Sequence, residues 1–124
     1  VREIMNRDVF TVGEDDRLSS VAWRLNAELV SGAPVRDRHG NVTGILSKTD
    51  IVGADQPLQM MRAADVMHRD IWCIDPDESV VVAAELMTSK GAHRLLVADG
   101  PGAPLGIVTA MDVVRAVAEG RLAG

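Results

Sequence analysis

Short apolar runs and longer stretches of helical spacing alternate along the chain. Val9-Phe10-Thr11-Val12 is a β-branched and aromatic run that predicts a strand, and Gly13 to Asp16 after it read as an acidic turn before a helix start. Leu18, Val21, Ala22, Leu25 and Leu29 recur at helical spacing, so one face of the next segment is apolar, and Gly32 lies where that helix should end. Ala33-Pro34-Val35 and Thr43 to Leu46, joined through a turn at Gly40, predict a hairpin, and Asp50 to Val52 open another helix. The order β-α-β-β-α then returns. Ile71-Trp72-Cys73-Ile74 gives the strand, Asp75 to Glu78 the acidic turn, and Val80, Ala83, Ala84 and Met87 the helix face ending near Gly91. Leu95-Leu96-Val97, a turn at Gly100-Pro101-Gly102 and Leu105 to Val108 give the hairpin, and Asp112 to Glu119 a longer closing helix.

A single offset of 62 superposes the two halves without a gap: Met5 falls on Met67, Asp8 on Asp70, Ala22 on Ala84, Val35 on Val97, Gly40 on Gly102, Gly44 on Gly106 and Asp50 on Asp112. Such a register, kept through turns and paired glycines, marks an internal duplication. Residues 1–53 form the first repeat, 54–62 a linker and 63–124 the second, with Leu58 to Met67 reading as one short helix into the second copy. A unit of this size is marginal alone, so the copies are expected to share a core as one integrated module. The fold class expected is α/β in the α+β sense, two β-α-β-β-α repeats packed with pseudo-twofold symmetry.

Composition narrows the function classes. Of the 124 residues, 47% are hydrophobic and 25% charged, the balance of a folding chain, and the net charge of −5 comes without a basic stripe for a phosphate backbone. Phe10, Trp23 and Trp72 are the only aromatics, too few for a base-stacking platform, so no nucleic-acid partner is expected. Cys73 is the only cysteine, which rules out an intrachain disulfide; its place in an apolar strand reads as packing. No apolar run reaches membrane-spanning length and the start lacks a signal-peptide pattern, so a cytoplasmic location is expected. A beginning at Val1 within structured-looking sequence fits a piece of a longer chain.

The chemistry-bearing segments close each repeat: Gly44-Ile45-Leu46-Ser47-Lys48-Thr49-Asp50 and Gly106-Ile107-Val108-Thr109-Ala110-Met111-Asp112. Each sets a hydroxyl three residues before a carboxylate at a strand-to-helix junction. Two readings are open: a capping box, or a hydroxyl and carboxylate that hold a sugar diol and phosphate. His39, His68 and His93 have no metal-ligand spacing, and Asp15-Asp16 and Asp75, Asp77 and Glu78 lack the glycine and distal glutamate of a calcium loop; they read as helix-start acids, and no metal site is expected. No nucleophile has an assignable base, so catalytic residues are not expected and the chain reads as a non-enzyme. The six methionines read as flexible core filling, and Trp23 falls beside the apolar stripe.

These closing segments, the openings Ile4-Met5 and Val66-Met67 and the ordered recurrence resemble a tandem pair of CBS domains, the module named after cystathionine β-synthase and also called a Bateman module. The resemblance covers essentially the whole chain. It implies a regulatory, energy-sensing module with two clefts between the repeats that take an adenosine-containing ligand: AMP, ADP, ATP or S-adenosylmethionine. It implies a ribose-binding role for Asp50 with Ser47, and for Asp112 with Thr109. The first cleft would join Ser47, Lys48, Thr49 and Asp50 to Asp70, Ile71 and Trp72, and to Ala92, His93 and Arg94. The second would join Thr109 and Asp112 to Asp8, Val9 and Phe10, and to Val30, Ser31 and Gly32. His93-Arg94 resembles the phosphate-contacting pair of the AMP-activated protein kinase regulatory subunit; a solvated pair at a helix end is the other reading. Since Ser31-Gly32 and Ala110 replace His93-Arg94 and Lys48, the second cleft is expected to be the weaker. The resemblance also implies a homodimer, with Val113, Val114 and Val117 on the closing helix available to it or to the core, and an effector protein or fused domain. The alternatives are a dimerisation module without ligand, and the regulatory fragment of a larger enzyme or transporter.

Overall fold

The structure, a computed structural model, describes residues 1–100 and 104–120; the predicted turn residues Pro101 and Gly102 lie outside them. Strand β1 (Val12–Gly13) leads into helix α1 (Leu18–Ala27), and β2 (Gly32–Arg36) and β3 (Val42–Ser47) precede α2 (Lys48–Val52). A 3-10 turn at Leu58–Met60 and α3 (Ala63–Val66) come before β4 (Cys73–Ile74), α4 (Val80–Lys90), β5 (Arg94–Val97), β6 (Gly106–Thr109) and α5 (Ala110–Ala118). In each copy the first two strands pair in parallel across the intervening helix and the last two form the antiparallel hairpin, giving sheets ordered β1-β2-β3 and β4-β5-β6. This is the expected mixed α+β architecture of two β-α-β-β-α repeats.

The helix faces follow the sequence pattern. Leu18, Val21 and Leu25 on α1 and their counterparts Val80, Ala83 and Met87 on α4 are buried, since a three-then-four spacing keeps side chains on one stripe. Four methionines, Met5, Met61, Met67 and Met87, are core residues, whereas Met60 and Met111 are exposed.

The repeats in sequence and the compact units in space divide the chain differently. One unit is Phe10–Ile71; the other combines Val1–Val9 with the described residues from Trp72 on. Each copy thus lends its leading segment to the other copy's unit. Asn6 pairs with Ile107 through Asn6 N to Ile107 O at 2.9 Å and the return bond at 3.0 Å, and His68 pairs with Ile45 through two bonds of 2.8 Å. Each unit has its own cluster of buried apolar residues: Met61, Ala63 and Met67 complete that of the Phe10–Ile71 unit, Val1 and Met5 that of the other. Borrowing a segment lets a small unit bury enough apolar surface for its own core.

Gly44 and Gly106 make these pairings possible. A Cβ on Gly44 would stand 2.6 Å from Met67 Sδ and 2.8 Å from the His68 carbonyl oxygen; on Gly106 it would stand 2.8 Å from both Met5 Sδ and the Asn6 carbonyl oxygen. Only hydrogen fits there.

Several local expectations are corrected. Regular pairing in the leading strands begins at Val12 and Cys73, because the residues before them carry the chain from one unit to the other. Leu58 to Met67 is not one helix: Met61 and Arg62 are extended where Leu18 N bonds Met61 O at 2.9 Å and Arg17 bridges Arg62. The acids keep the place expected for them, in the turns before the helices; Asp16 Oδ2 accepts from Gly13 N at 2.8 Å, Asp75 Oδ1 accepts from Asp77 N at 2.9 Å, and Ser79 caps α4. Gly32 does not end α1. Leu29 does, at φ 56 and 89% exposed, in the left-handed position that Gly91 takes after α4. Cys73 is exposed, since its strand buries Ile74 on the opposite face.

Candidate functional site

At the end of β3, Ser47 is held against the first turn of α2. Asp50 Oδ2 accepts from the Ser47 amide at 2.8 Å and from the Ser47 hydroxyl at 2.9 Å, while Ser47 Oγ and Thr49 Oγ1 are 3.0 Å apart. The Lys48 amide donates to the Ser31 carbonyl at 2.9 Å, which ties the junction to the entry of β2. The Asp50 side chain is only 12% exposed, and its other oxygen, Oδ1, is 2.6 Å from His68 Nε2. Lys48 and Thr49 are exposed.

The second junction has the same frame with different fittings. Asp112 Oδ2 accepts from the Thr109 amide at 2.9 Å, Thr109 Oγ1 accepts from the Asp112 amide at 3.3 Å, and the Ala110 amide bonds the His93 carbonyl at 2.9 Å. Arg115 Nη1 is 3.4 Å from Asp112 Oδ1. Asn6, the counterpart of His68, turns its Oδ1 onto the Asp8 amide at 3.0 Å. Both carboxylates therefore do act as caps. Capping occupies one oxygen of each and leaves the other, Oδ1, turned to His68 in the first copy and to Arg115 in the second, so structural and ligand-binding roles are compatible in one side chain.

The predicted residues fall on both units. Ser47, Lys48, Thr49, Asp50, Asp70 and Ile71 belong to the Phe10–Ile71 unit, as do Phe10, Val30 and Ser31; Trp72, Ala92, His93, Arg94, Thr109, Asp112, Asp8 and Val9 belong to the other. Within units, Ser47 is the register partner of Gly32, and Thr109 that of Arg94. Asp8, Asp70, Ser31 and His93 are exposed; Val9, Ile71, Val30, Ala92 and Arg94 are half-buried.

Three participants are absent from the sequence reading. His68 reaches Asp50 across eighteen residues of chain. The half-buried rings of Phe10 and Trp72, equivalent under the offset, are each covered by a cation: the Arg24 guanidinium carbon is 4.9 Å from the Phe10 centroid and Lys90 Nζ is 4.8 Å from that of Trp72. The covering cations come from different helix positions, so the repeat does not reveal them. Arg24 is also fixed by Asp16 at 3.2 Å.

Apart from these junctions, an open apolar groove runs along α4 between Val81, Ala84, Glu85, Thr88 and Ser89, and none of the predicted site residues lines it. On α5, Val113 is buried while Met111, Val114 and Val117 are exposed, so the closing helix serves both the core and an outer face. Among the described residues no three metal-ligating side chains gather, and no helix is long and apolar enough to cross a membrane.

Two copies of this frame, each with its capped carboxylate, match the CBS domain family over residues 1–56 and 63–119, and the chain belongs to that family. It is 30% identical over 124 residues to the A-adding tRNA nucleotidyltransferase of Aquifex aeolicus, covering 96% of this chain and 14% of the relative. It is 28% identical over 113 residues to the inosine-5'-monophosphate dehydrogenase of Methanocaldococcus jannaschii, covering 91% and 22%. The chain thus spans less than a quarter of these relatives' length. Among solved structures, the CBS domain of a CBS domain containing membrane protein from Sphaerobacter thermophilus superposes with a TM-score of 0.83 at 28% identity, over 93% of this chain and 85% of that one. The same fold occurs in the CBS domain of the bacterial CNNM/CorC family Mg2+ transporter in complex with ATP, at TM-score 0.83 and 18% identity over 94% and 85%. It occurs also in CBSX2 in complex with AMP, at TM-score 0.80 and 24% identity over 95% of both chains.

Proposed function

We propose that the chain is a regulatory module that binds an adenosine-containing ligand of the AMP, ADP or ATP class and signals to a partner or fused domain. The observation that carries this reading is the Ser47-to-Asp50 junction. It holds a nearly buried carboxylate whose Oδ2 accepts from Ser47 and whose Oδ1 faces the exposed His68, so displacing one side chain frees an acceptor for sugar hydroxyls. Of the residues that the family resemblance assigns to this ligand, Lys48 and Arg94 carry charge suited to a phosphate, and Asp70, Ile71, Trp72, Ala92 and His93 are the others. The AMP and ATP complexes of proteins with this fold support the ligand class, and the dehydrogenase, of which this chain matches 22%, supports a role as the sensing part of a larger protein; a cytoplasmic location is part of the proposal. The same resemblance assigns Thr109 and Asp112, with Asp8, Val9, Phe10, Val30 and Ser31, to a second site, proposed as the weaker.

Titration of extensively dialysed protein with AMP tests the reading. Asp50→Ala is expected to weaken binding by about 10- to 100-fold, the loss of one charge-assisted hydrogen bond, and Asp112→Ala by much less. Loss of binding in Asp112→Ala with Asp50→Ala intact would overturn the assignment. A homodimer is part of the proposal: Met111, Val114 and Val117 give α5 an apolar outer stripe that a second copy can cover. Sedimentation showing a dimer that Val114→Glu dissociates supports it; a monomer at high concentration refutes it.

A further inference from the structure

We propose that His68 is a displaceable gate on Asp50, a positioning residue that occupies the sugar-binding oxygen until ligand arrives and makes binding at this site weaken as the imidazole gains a proton. The proposal rests on the ligand reading above and adds a regulator to the same site.

The geometry is specific to this copy. His68 is fastened from both sides of its backbone to Ile45, one residue beyond the Gly44 close approach, so its side chain starts from a fixed point beside α2. Its ring nitrogen lies 2.6 Å from Asp50 Oδ1, the oxygen not used by Ser47. A diol seeking that oxygen competes with the imidazole. His68 is 69% exposed and can swing into solvent, whereas Asp50, capped and nearly buried, cannot follow it. Other charged groups on the elements packed here are Lys48 on α2, Asp65 on α3 and Arg69 and Asp70 on the segment of His68 itself. Asp65 is engaged by the Arg62 amide, and Asp50 is the carboxylate that meets the ring.

In the other copy the same backbone pairing carries Asn6, whose side chain turns back on its own segment. Asparagine therefore fits the pairing without forming the gate, and His68→Asn is a variant the fold already accommodates. A protonated imidazole holds the carboxylate as an ion pair and a neutral one by a weaker hydrogen bond, so proton binding and ligand binding oppose each other reciprocally.

AMP and adenosine titrations of wild type and His68→Asn between pH 6 and pH 8 test this. The wild-type to variant ratio removes the titration of the AMP phosphate itself. Because the imidazole is 69% exposed and screened by water, His68→Asn is expected to bind about three- to tenfold more tightly at pH 6 and within about twofold of wild type at pH 8. The Nε2 nitrogen resonance of His68 is expected to move in Asp50→Asn and on saturation with AMP. Weaker or unchanged binding in His68→Asn, or a His68 resonance indifferent to both changes, overturns the gate while the ligand reading stands. Failure of both proteins to bind overturns the ligand reading and the gate with it.

Discussion

Replacing Gly44 by alanine tests whether the borrowed segment is fixed by backbone contact. The new Cβ would meet Met67 Sδ at 2.6 Å, Met67 Cγ at 2.9 Å and the His68 carbonyl oxygen at 2.8 Å. The methionine end can swing aside; the carbonyl cannot move without opening the two 2.8 Å bonds between Ile45 and His68. Overpacking costs about 1–3 kcal/mol and each of the two opened bonds about 0.5–1.5 kcal/mol, so Gly44→Ala is expected to lose about 2–6 kcal/mol. At about 4 °C per kcal/mol for a chain of this length, the melting temperature should fall by about 8–24 °C. Gly106→Ala, with Met5 and the Asn6 carbonyl at 2.8 Å, should lose a similar amount. Gly53→Ala is the control: its nearest atom is the Thr49 carbonyl at 3.5 Å and its φ is −79, so a change within about 0.5 kcal/mol is expected. The measurement is urea denaturation with thermal melts of all three variants. A Gly44→Ala protein as stable as Gly53→Ala would refute the reasoning.

Leu29→Gly is expected to stabilise the protein by about 0.5–1 kcal/mol, since it relieves a left-handed leucine at a small cost in chain entropy. Little burial is lost with a side chain 89% exposed, and a lowered melting temperature would contradict this account. Cys73, exposed on its short strand, should react with a thiol reagent in the native state nearly as fast as in urea; protection by more than about a hundredfold would show that it is buried.

Element order and helix faces are legible in the sequence because they rest on local periodicity. Leu18, Val21 and Leu25 announce a buried stripe wherever the helix packs, and their copies at Val80, Ala83 and Met87 repeat the message. Ownership of the leading segments is not legible. Nothing local to Asn6 or His68 says that their strand partners are Ile107 and Ile45; that choice is made by long-range pairing and by the two glycines that admit it. The end of α1 was within reach of the offset itself, which aligns Gly91 with Leu29 and not with Gly32. A leucine there runs against propensity, but both helices close with the same bonds: Val30 N to Leu25 O at 3.1 Å and Ala92 N to Met87 O at 3.0 Å.

The site was half visible for the same reason. Ser47 with Asp50 and Thr109 with Asp112 are motifs of one turn, readable from spacing alone. The groups that modulate them come from elsewhere in the chain: His68 on Asp50, Arg24 over Phe10, Lys90 over Trp72. Charge differences between the copies single out Asp50, since Lys48 and His93-Arg94 have no cationic counterparts. His68 complicates that inference. A side chain that touches the carboxylate competes with the sugar in either copy, His68 on Asp50 and Arg115 on Asp112, so the proposed advantage of the Asp50 cleft rests on the ligand's phosphate. On this argument the Asp50 cleft should discriminate against adenosine relative to AMP, and against both more strongly as pH falls.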